Sequence, residues 1–118
     1  DDRLRNGDVT LVQDIQKVSG TNRNHYSFAT KYCSHHQPLD YPIYDSYVDK
    51  VLCYYRKRDD FFDFTDSDLK NFKRFKTILL AFRSFYELET YNLKEIDKYI
   101  WLLGKESFPR YYKQQKRN

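Results

Sequence analysis

The feature that most constrains the fold is a long run of apolar residues at helical spacing in the second half of the chain. Apolar side chains recur there every three or four positions: Leu69, Phe72, Phe75, Ile78, Leu79, Phe82, Phe85 and Tyr86. This period places them on one face of an α-helix of about five turns. Thr65 or Ser67 can begin the helix as its N-cap. The pattern predicts a central helix against which the rest of a small chain must pack.

Weaker runs of the same period predict four further helices. They cover residues 8–19, residues 25–36, the stretch from Asp45 to the charged residues 56–60, and residues 92–104. Since the 118 residues include only 3 Gly and 3 Pro, a fold of many short strands and tight turns is disfavoured. We therefore expect an all-α protein, a compact bundle of about five helices that forms a single domain over residues 1–118.

The expected helix ends are marked by residues with known capping preferences. Asn24 and Asp45 are predicted N-caps of the second and third helices, because their side-chain oxygens can accept hydrogen bonds from free backbone N–H groups. Asn92 and Glu95 have the spacing of a capping box at the start of the fifth helix. Gly104 is predicted to end that helix.

The net charge of +4 arises at the C-terminal end of the chain. Residues 1–104 hold 16 Lys and Arg against 16 Asp and Glu, whereas residues 105–118 hold five basic residues and one acidic residue. This basic tail includes Arg110 and Lys113, and it can contact nucleic acid because cations bind phosphates. A solvated C-terminus without a partner is the alternative.

Several classes of protein are disfavoured by features that the sequence lacks. No stretch approaches the roughly 18 apolar residues of a membrane span, and no apolar leader is present, so we expect a soluble cytoplasmic protein with no membrane contact. Cys33, His35 and His36 lack the spacing of a metal site, and no glycine-rich loop can hold a nucleotide, so we expect neither a metal nor a cofactor. The absence of Met predicts that the chain begins inside a longer gene product.

The most specific motif is the segment Tyr-Pro-Ile-Tyr-Asp-Ser-Tyr-Val-Asp-Lys-Val-Leu at residues 41–52. Pro42 favours an extended backbone before the predicted third helix, and Asp45 stands at the start of that helix. A carboxylate in this position is held rigidly and can face a cleft. The alternative is that Asp45 serves only as an N-cap.

The run Pro-Ile-x-Asp-x-x-Val-x-x-Val-Leu resembles the segment that carries the catalytic aspartate in helix-hairpin-helix DNA glycosylases, particularly adenine-glycosylase-type members. An upstream Ser-Phe-Ala-x-Lys-Tyr segment is similar to one in small bacterial proteins of the same fold. The resemblance covers about residues 20–56 and implies a DNA-glycosylase-like fold. It implies that Asp45 stabilises the oxocarbenium-like sugar during base excision. Lys31 would be the counterpart of the lysine nucleophile of bifunctional members.

The same resemblance implies residues that contact DNA. Arg23 and Asn24 lie where the family has its DNA-binding hairpin, and Tyr44 and Ser46 flank Asp45. Tyrosines near Asp45 in sequence would form the walls around a flipped base. The leading hypothesis is a nucleic-acid-binding domain that excises or recognises a modified base, and whether it is an enzyme is left open. The alternative is a non-catalytic helical module that binds a protein partner or forms a homo-oligomer.

Overall fold

The computed structural model describes residues 2–19 and 23–108, and within these ranges it contains only helices and connecting segments. The prediction of an all-α protein is confirmed, and the described residues form six α-helices and one 3-10 helix in place of the five helices expected. The 3-10 helix covers Asp66–Lys70. The α-helices are α1 (Asp2–Arg5), α2 (Leu11–Ser19), α3 (Arg23–His36), α4 (Ser46–Asp59), α5 (Phe72–Phe85) and α6 (Leu93–Ser107).

One hydrophobic core joins these elements. Helix α4 packs against α6, α2 packs against α3, and α5 contacts both α6 and the 3-10 helix. The core-facing residues of α5 are Phe72, Phe75, Ile78, Leu79 and Phe82, all of which the helical period predicted, whereas Phe85, which it also predicted, is 50% exposed. Phe61 and Phe64, in the loop before the 3-10 helix, are also buried.

The predicted central helix is divided near its start. Asn71 has an extended backbone (φ −104°, ψ 114°), and its side chain accepts a hydrogen bond from Arg74 N, so it is the N-cap of α5. The residues before it form the 3-10 helix, which Thr65 begins through a capping box with Asp68. The apolar period continues across the break, because Leu69 and Phe72 both reach the core. Periodicity alone therefore predicted one helix where there are two.

Gly104 does not end the last helix, which continues to Ser107. Its role is in packing, because a methyl group at this position would lie 2.7 Å from Tyr47 Cβ on α4. The glycine thus permits the close approach of α4 and α6. Residues 105–107 of the predicted basic tail belong to α6, and the rest of the tail lies outside the described residues.

The N-terminal part of the chain differs from the prediction in three details. A short helix, α1, precedes the first predicted helix, and α2 begins at Leu11 instead of residue 8. Helix α3 begins at Arg23, so Asn24 lies within its first turn and is not the residue before it.

Asp45 and Asn92 are N-caps as predicted. In the described ranges, no helix has both the length and the apolar character that crossing a membrane requires.

Candidate functional site

Asp45 lies at the end of an extended segment that leads into α4. It has an extended backbone (φ −148°, ψ 178°), and its Oδ1 accepts a hydrogen bond from Val48 N at 2.9 Å. This bond satisfies one of the free N–H groups at the start of the helix. Burial raises the pKa of Asp45, while the bond from Val48 N and the charge of Lys31 oppose that rise.

Hydrogen bonds to neighbouring helices hold the segment before Asp45. On the α3 side, Tyr44 N donates to Thr30 Oγ1 at 3.1 Å, and Ser27 Oγ donates to Tyr44 O at 3.0 Å. On the α6 side, Ile43 N donates to Asp97 Oδ2 at 2.8 Å. The backbone two residues before Asp45 is therefore fixed to α6, and the backbone one residue before it is fixed to α3.

Asp45 opens into a cavity of about 370 Å³ between α3, the start of α4 and α6. Helix α6 contributes four of its lining residues at positions i, i+3, i+4 and i+7, which share one helix face. The complete lining is Lys31, Ile43, Asp45, Val48, Lys94, Asp97, Lys98 and Trp101. The cavity therefore combines two carboxylates, three amines and one large aromatic ring.

Asp97 is the more deeply buried of the two carboxylates, with 4% of its surface exposed. Burial raises its pKa to about 6, and the nearby charge of Asp45 adds to the rise, whereas the bond from Ile43 N and the charge of Lys94 act against it. A buried carboxylate beside a second carboxylate is costly to ionise, because each disfavours the charged form of the other. Perturbed carboxyl groups of this kind are concentrated at functional sites.

The three lysines supply positive charge around these carboxylates. Among the described residues, Lys31, Lys94 and Lys98 make no ion pair within 4.0 Å. Lys31 and Lys98 are exposed and Lys94 is half-buried. Trp101 is also half-buried, and Lys105 Nζ lies 4.2 Å from the centroid of its ring. The arrangement can bind an anionic group at the lysines and a flat apolar group near the tryptophan.

The structure brings together the two residues that the sequence predicted as catalytic, since Asp45 and Lys31 line the same cavity. The expected tyrosine walls are not there. Tyr44 is 6% exposed, its hydroxyl donates to Asp49 at 2.5 Å, and its ring packs 4.9 Å from that of Tyr26 in the core. The core therefore covers the side chain of Tyr44, and its contact with nucleic acid stays a prediction.

The remaining predicted contacts do not contribute to the cavity lining. Ser46 is the first residue of α4 and is partly buried, but it is not a lining residue. Arg23 and Asn24 belong to the first turn of α3, and their side chains lie outside the described part of the chain, as do Arg110 and Lys113 entirely. Within the described ranges, no group of three or more His, Cys, Asp or Glu side chains is arranged to hold a metal ion.

Sequence reasoning missed the contribution of α6 to the site. Lys94, Asp97, Lys98 and Trp101 form a stripe beside the apolar stripe of the helix that the sequence predicted at 92–104. The one sequence feature that indicated a contribution of α6 to the site was Asp97, an acidic residue next to the apolar positions Ile96 and Ile100. Which helix that face would meet depends on the packing of α4 against α6, which the sequence pattern does not specify.

Two comparisons with known proteins found matches, one to a family model and one to a protein of similar sequence. A family model described as an N-terminal domain, HI_0787_N, matches residues 1–40. An uncharacterised protein of Haemophilus influenzae is 52% identical over 112 residues, which is 93% of this chain. The chain spans about half of that relative's length, 53%. No solved structure matches the chain.

Proposed function

We propose that the protein is a nucleic-acid-binding domain of the DNA-glycosylase-like kind, whose cavity receives one unpaired nucleotide of DNA with Asp45 facing its sugar. The observation that carries the proposal is the cavity that Asp45 and Lys31 share, as the resemblance required. A carboxylate near the sugar is the group that such chemistry needs.

The composition of the cavity supports a nucleotide as its occupant. Lysines bind phosphate oxygens, and this contribution weakens as salt rises. A tryptophan ring provides a stacking surface for a base, an interaction worth about 1–3 kcal/mol. A volume of about 370 Å³ lies within the usual range of small-ligand sites, which starts at roughly 300 Å³.

Binding is tested by titrating labelled single- and double-stranded DNA with the protein at two salt concentrations, using fluorescence anisotropy. We expect binding at low salt that weakens as salt increases. The double variant Lys94→Gln with Lys98→Gln should bind single strands more weakly and reduce the salt slope by about 0.7 for each phosphate that the lysines no longer bind. Lys73→Gln, an exposed site on α5, is the matched control. No binding at low salt would refute the proposal.

Base excision is tested separately with Asp45→Asn. In this reaction the bond between C1′ and the base breaks, its electron pair leaves with the base, and the Asp45 carboxylate stabilises the cationic sugar. Water then adds at C1′, and its proton passes to the departing base. Asn is also a good N-cap, so α4 should keep its start. We expect Asp45→Asn to retain DNA affinity and to abolish release of free base, measured by chromatography.

A second candidate function is a non-catalytic oligomerisation module. It is favoured by Tyr99 and Leu102, which are 50% and 48% exposed and lie three residues apart on α6. Exposed apolar side chains on one face are common at interfaces between copies of a chain. Light scattering should then give a dimer for the natural sequence and a monomer for Leu102→Lys, while a monomer for both would refute this candidate.

A further inference from the structure

Asp97 is a buried residue, and only one of its two carboxylate oxygens has a hydrogen-bond partner among the described residues. Its Oδ2 accepts from Ile43 N at 2.8 Å. In the part of the chain that the structure describes, no hydrogen bond to Oδ1 occurs, and the carboxylate forms no ion pair within 4.0 Å. A carboxylate can accept at both oxygens. Oδ1 is not among the fully buried side-chain oxygens that lack a partner in the described residues, so it is accessible from the cavity that Asp97 lines. An acceptor of this kind in the wall of a cavity fits a ligand that brings its own donor.

The other charged groups of the cavity indicate which part of a ligand meets Asp97. Lys31 comes from α3, Lys94 and Lys98 come from α6, and Asp45 lies at the start of α4. A phosphate belongs beside the lysines, because the carboxylates repel it. The part of the ligand that faces the carboxylates is therefore uncharged and carries N–H or O–H groups. In a nucleotide, the base amino group is such a donor, and it lies at the edge of a ring that can stack on Trp101.

We propose that Asp97 Oδ1 accepts a hydrogen bond from the exocyclic amino group of the bound base, so that the cavity selects amino-bearing bases. This inference rests on the proposed function and names the ligand class of the same site. A site built to hydrogen-bond a donor discriminates strongly against an analogue that lacks it, because the acceptor is then left unpaired. At pH 7.5 the carboxyl group is mainly ionised, since burial raises its pKa only to about 6.

The geometry predicts a particular effect of Asp97→Asn. The amide oxygen of the variant can keep the bond from Ile43 N, which turns the amide NH₂ group toward the cavity. An acceptor is thereby exchanged for a donor with little change in shape. Two donors then face each other when an amino-bearing base binds, so the variant should lose the preference for such bases.

The test compares two single strands of equal length by fluorescence anisotropy at pH 7.5. One is oligo(dC), and the other carries pyrimidin-2-one, which is cytosine without its amino group. We expect the natural protein to bind oligo(dC) about tenfold more tightly, as for one hydrogen bond to a charged acceptor. Asp97→Asn should bind oligo(dC) no more tightly than the other strand, and Asp63→Asn, an exposed control, should keep the preference.

Each result bears on a different claim. Equal binding of both strands by the natural protein would overturn the selection of amino groups while leaving DNA binding in place. A preference that persists in a folded Asp97→Asn variant, with folding checked by circular dichroism, would overturn the role of Asp97. Absence of binding to either strand at low salt would overturn the proposed function itself. The comparison of strands on the natural protein needs no variant to fold.

Discussion

Replacing Asp97 by Asn should make the protein more stable at pH 8, even though it alters the candidate site. Asp97 is 4% exposed, and its charged form is disfavoured by burial and by the neighbouring charge of Asp45. Asn removes that charge and can keep the hydrogen bond from Ile43 N. Few substitutions in a core are expected to stabilise a protein, so the sign of the effect is informative.

The magnitude follows from the pKa of Asp97, which rises from 3.8 to about 6 in the folded protein. Between these values the folded state binds more protons than the unfolded state, so the free energy of unfolding falls as pH increases through this window. One pH unit corresponds to about 1.4 kcal/mol, and the full cost of ionised Asp97 above pH 6 is therefore about 3 kcal/mol. A neutral amide oxygen accepts the bond from Ile43 N less strongly than a carboxylate does, and this lowers the free energy of unfolding of the variant by about 1 kcal/mol. The net gain expected for Asp97→Asn at pH 8 is about 2 kcal/mol.

Urea denaturation of the natural protein and of Asp97→Asn at pH 8 and pH 4 measures this difference. The gain should be present at pH 8 and should fall toward zero at pH 4, where Asp97 is protonated in the natural protein. Asp63→Asn, at an exposed site, should change the free energy of unfolding little at either pH. A variant that is no more stable at pH 8, or a gain that is the same at both pH values, would refute the reasoning.

Three further predictions concern the packing that builds the site. Gly104→Ala should lower the free energy of unfolding by about 1–3 kcal/mol in urea, because the added methyl group meets Tyr47 Cβ at 2.7 Å; a gain in stability would contradict this contact. Tyr26→Phe removes the hydroxyl that donates to Leu69 O at 2.8 Å and should cost about 1–2 kcal/mol, seen as a lower thermal midpoint. An unchanged midpoint would count against that buried bond. Asn92→Ala should cost about 1 kcal/mol because it removes the cap of α6, and Asn92→Ser should recover most of it in urea denaturation.

Most of the helices could be predicted from the sequence because their signals are local. The apolar period of α5 and the caps Asp45 and Asn92 each depend on residues within one or two turns, and the structure confirms all three. The break at Asn71 was missed because the same period continues through the 3-10 helix. Gly104 was misread because a glycine that permits close packing and a glycine that ends a helix look alike without the partner helix.

The site was predictable only in part for a different physical reason. Asp45 and Lys31 lie near each other in sequence, and a motif marked the first of them. Asp97 is more than fifty residues further along the chain, and its role depends on the bond from Ile43 N at 2.8 Å. No local sequence pattern predicts that contact, because it forms only when α6 packs beside the segment before α4.

The hydrogen bond between Ile43 and Asp97 links the stability of the fold to the position of the candidate catalytic group. It holds the backbone two residues before Asp45, so a side chain at position 97 must accept a hydrogen bond if that segment is to stay against α6. A neutral Asn would meet this requirement without the cost of burying a charge beside Asp45. Structural need alone therefore does not explain why the residue is an aspartate. A buried ionisable group that lowers stability is expected where its charge or its proton is used, and the cavity shared with Asp45 provides a place for that use.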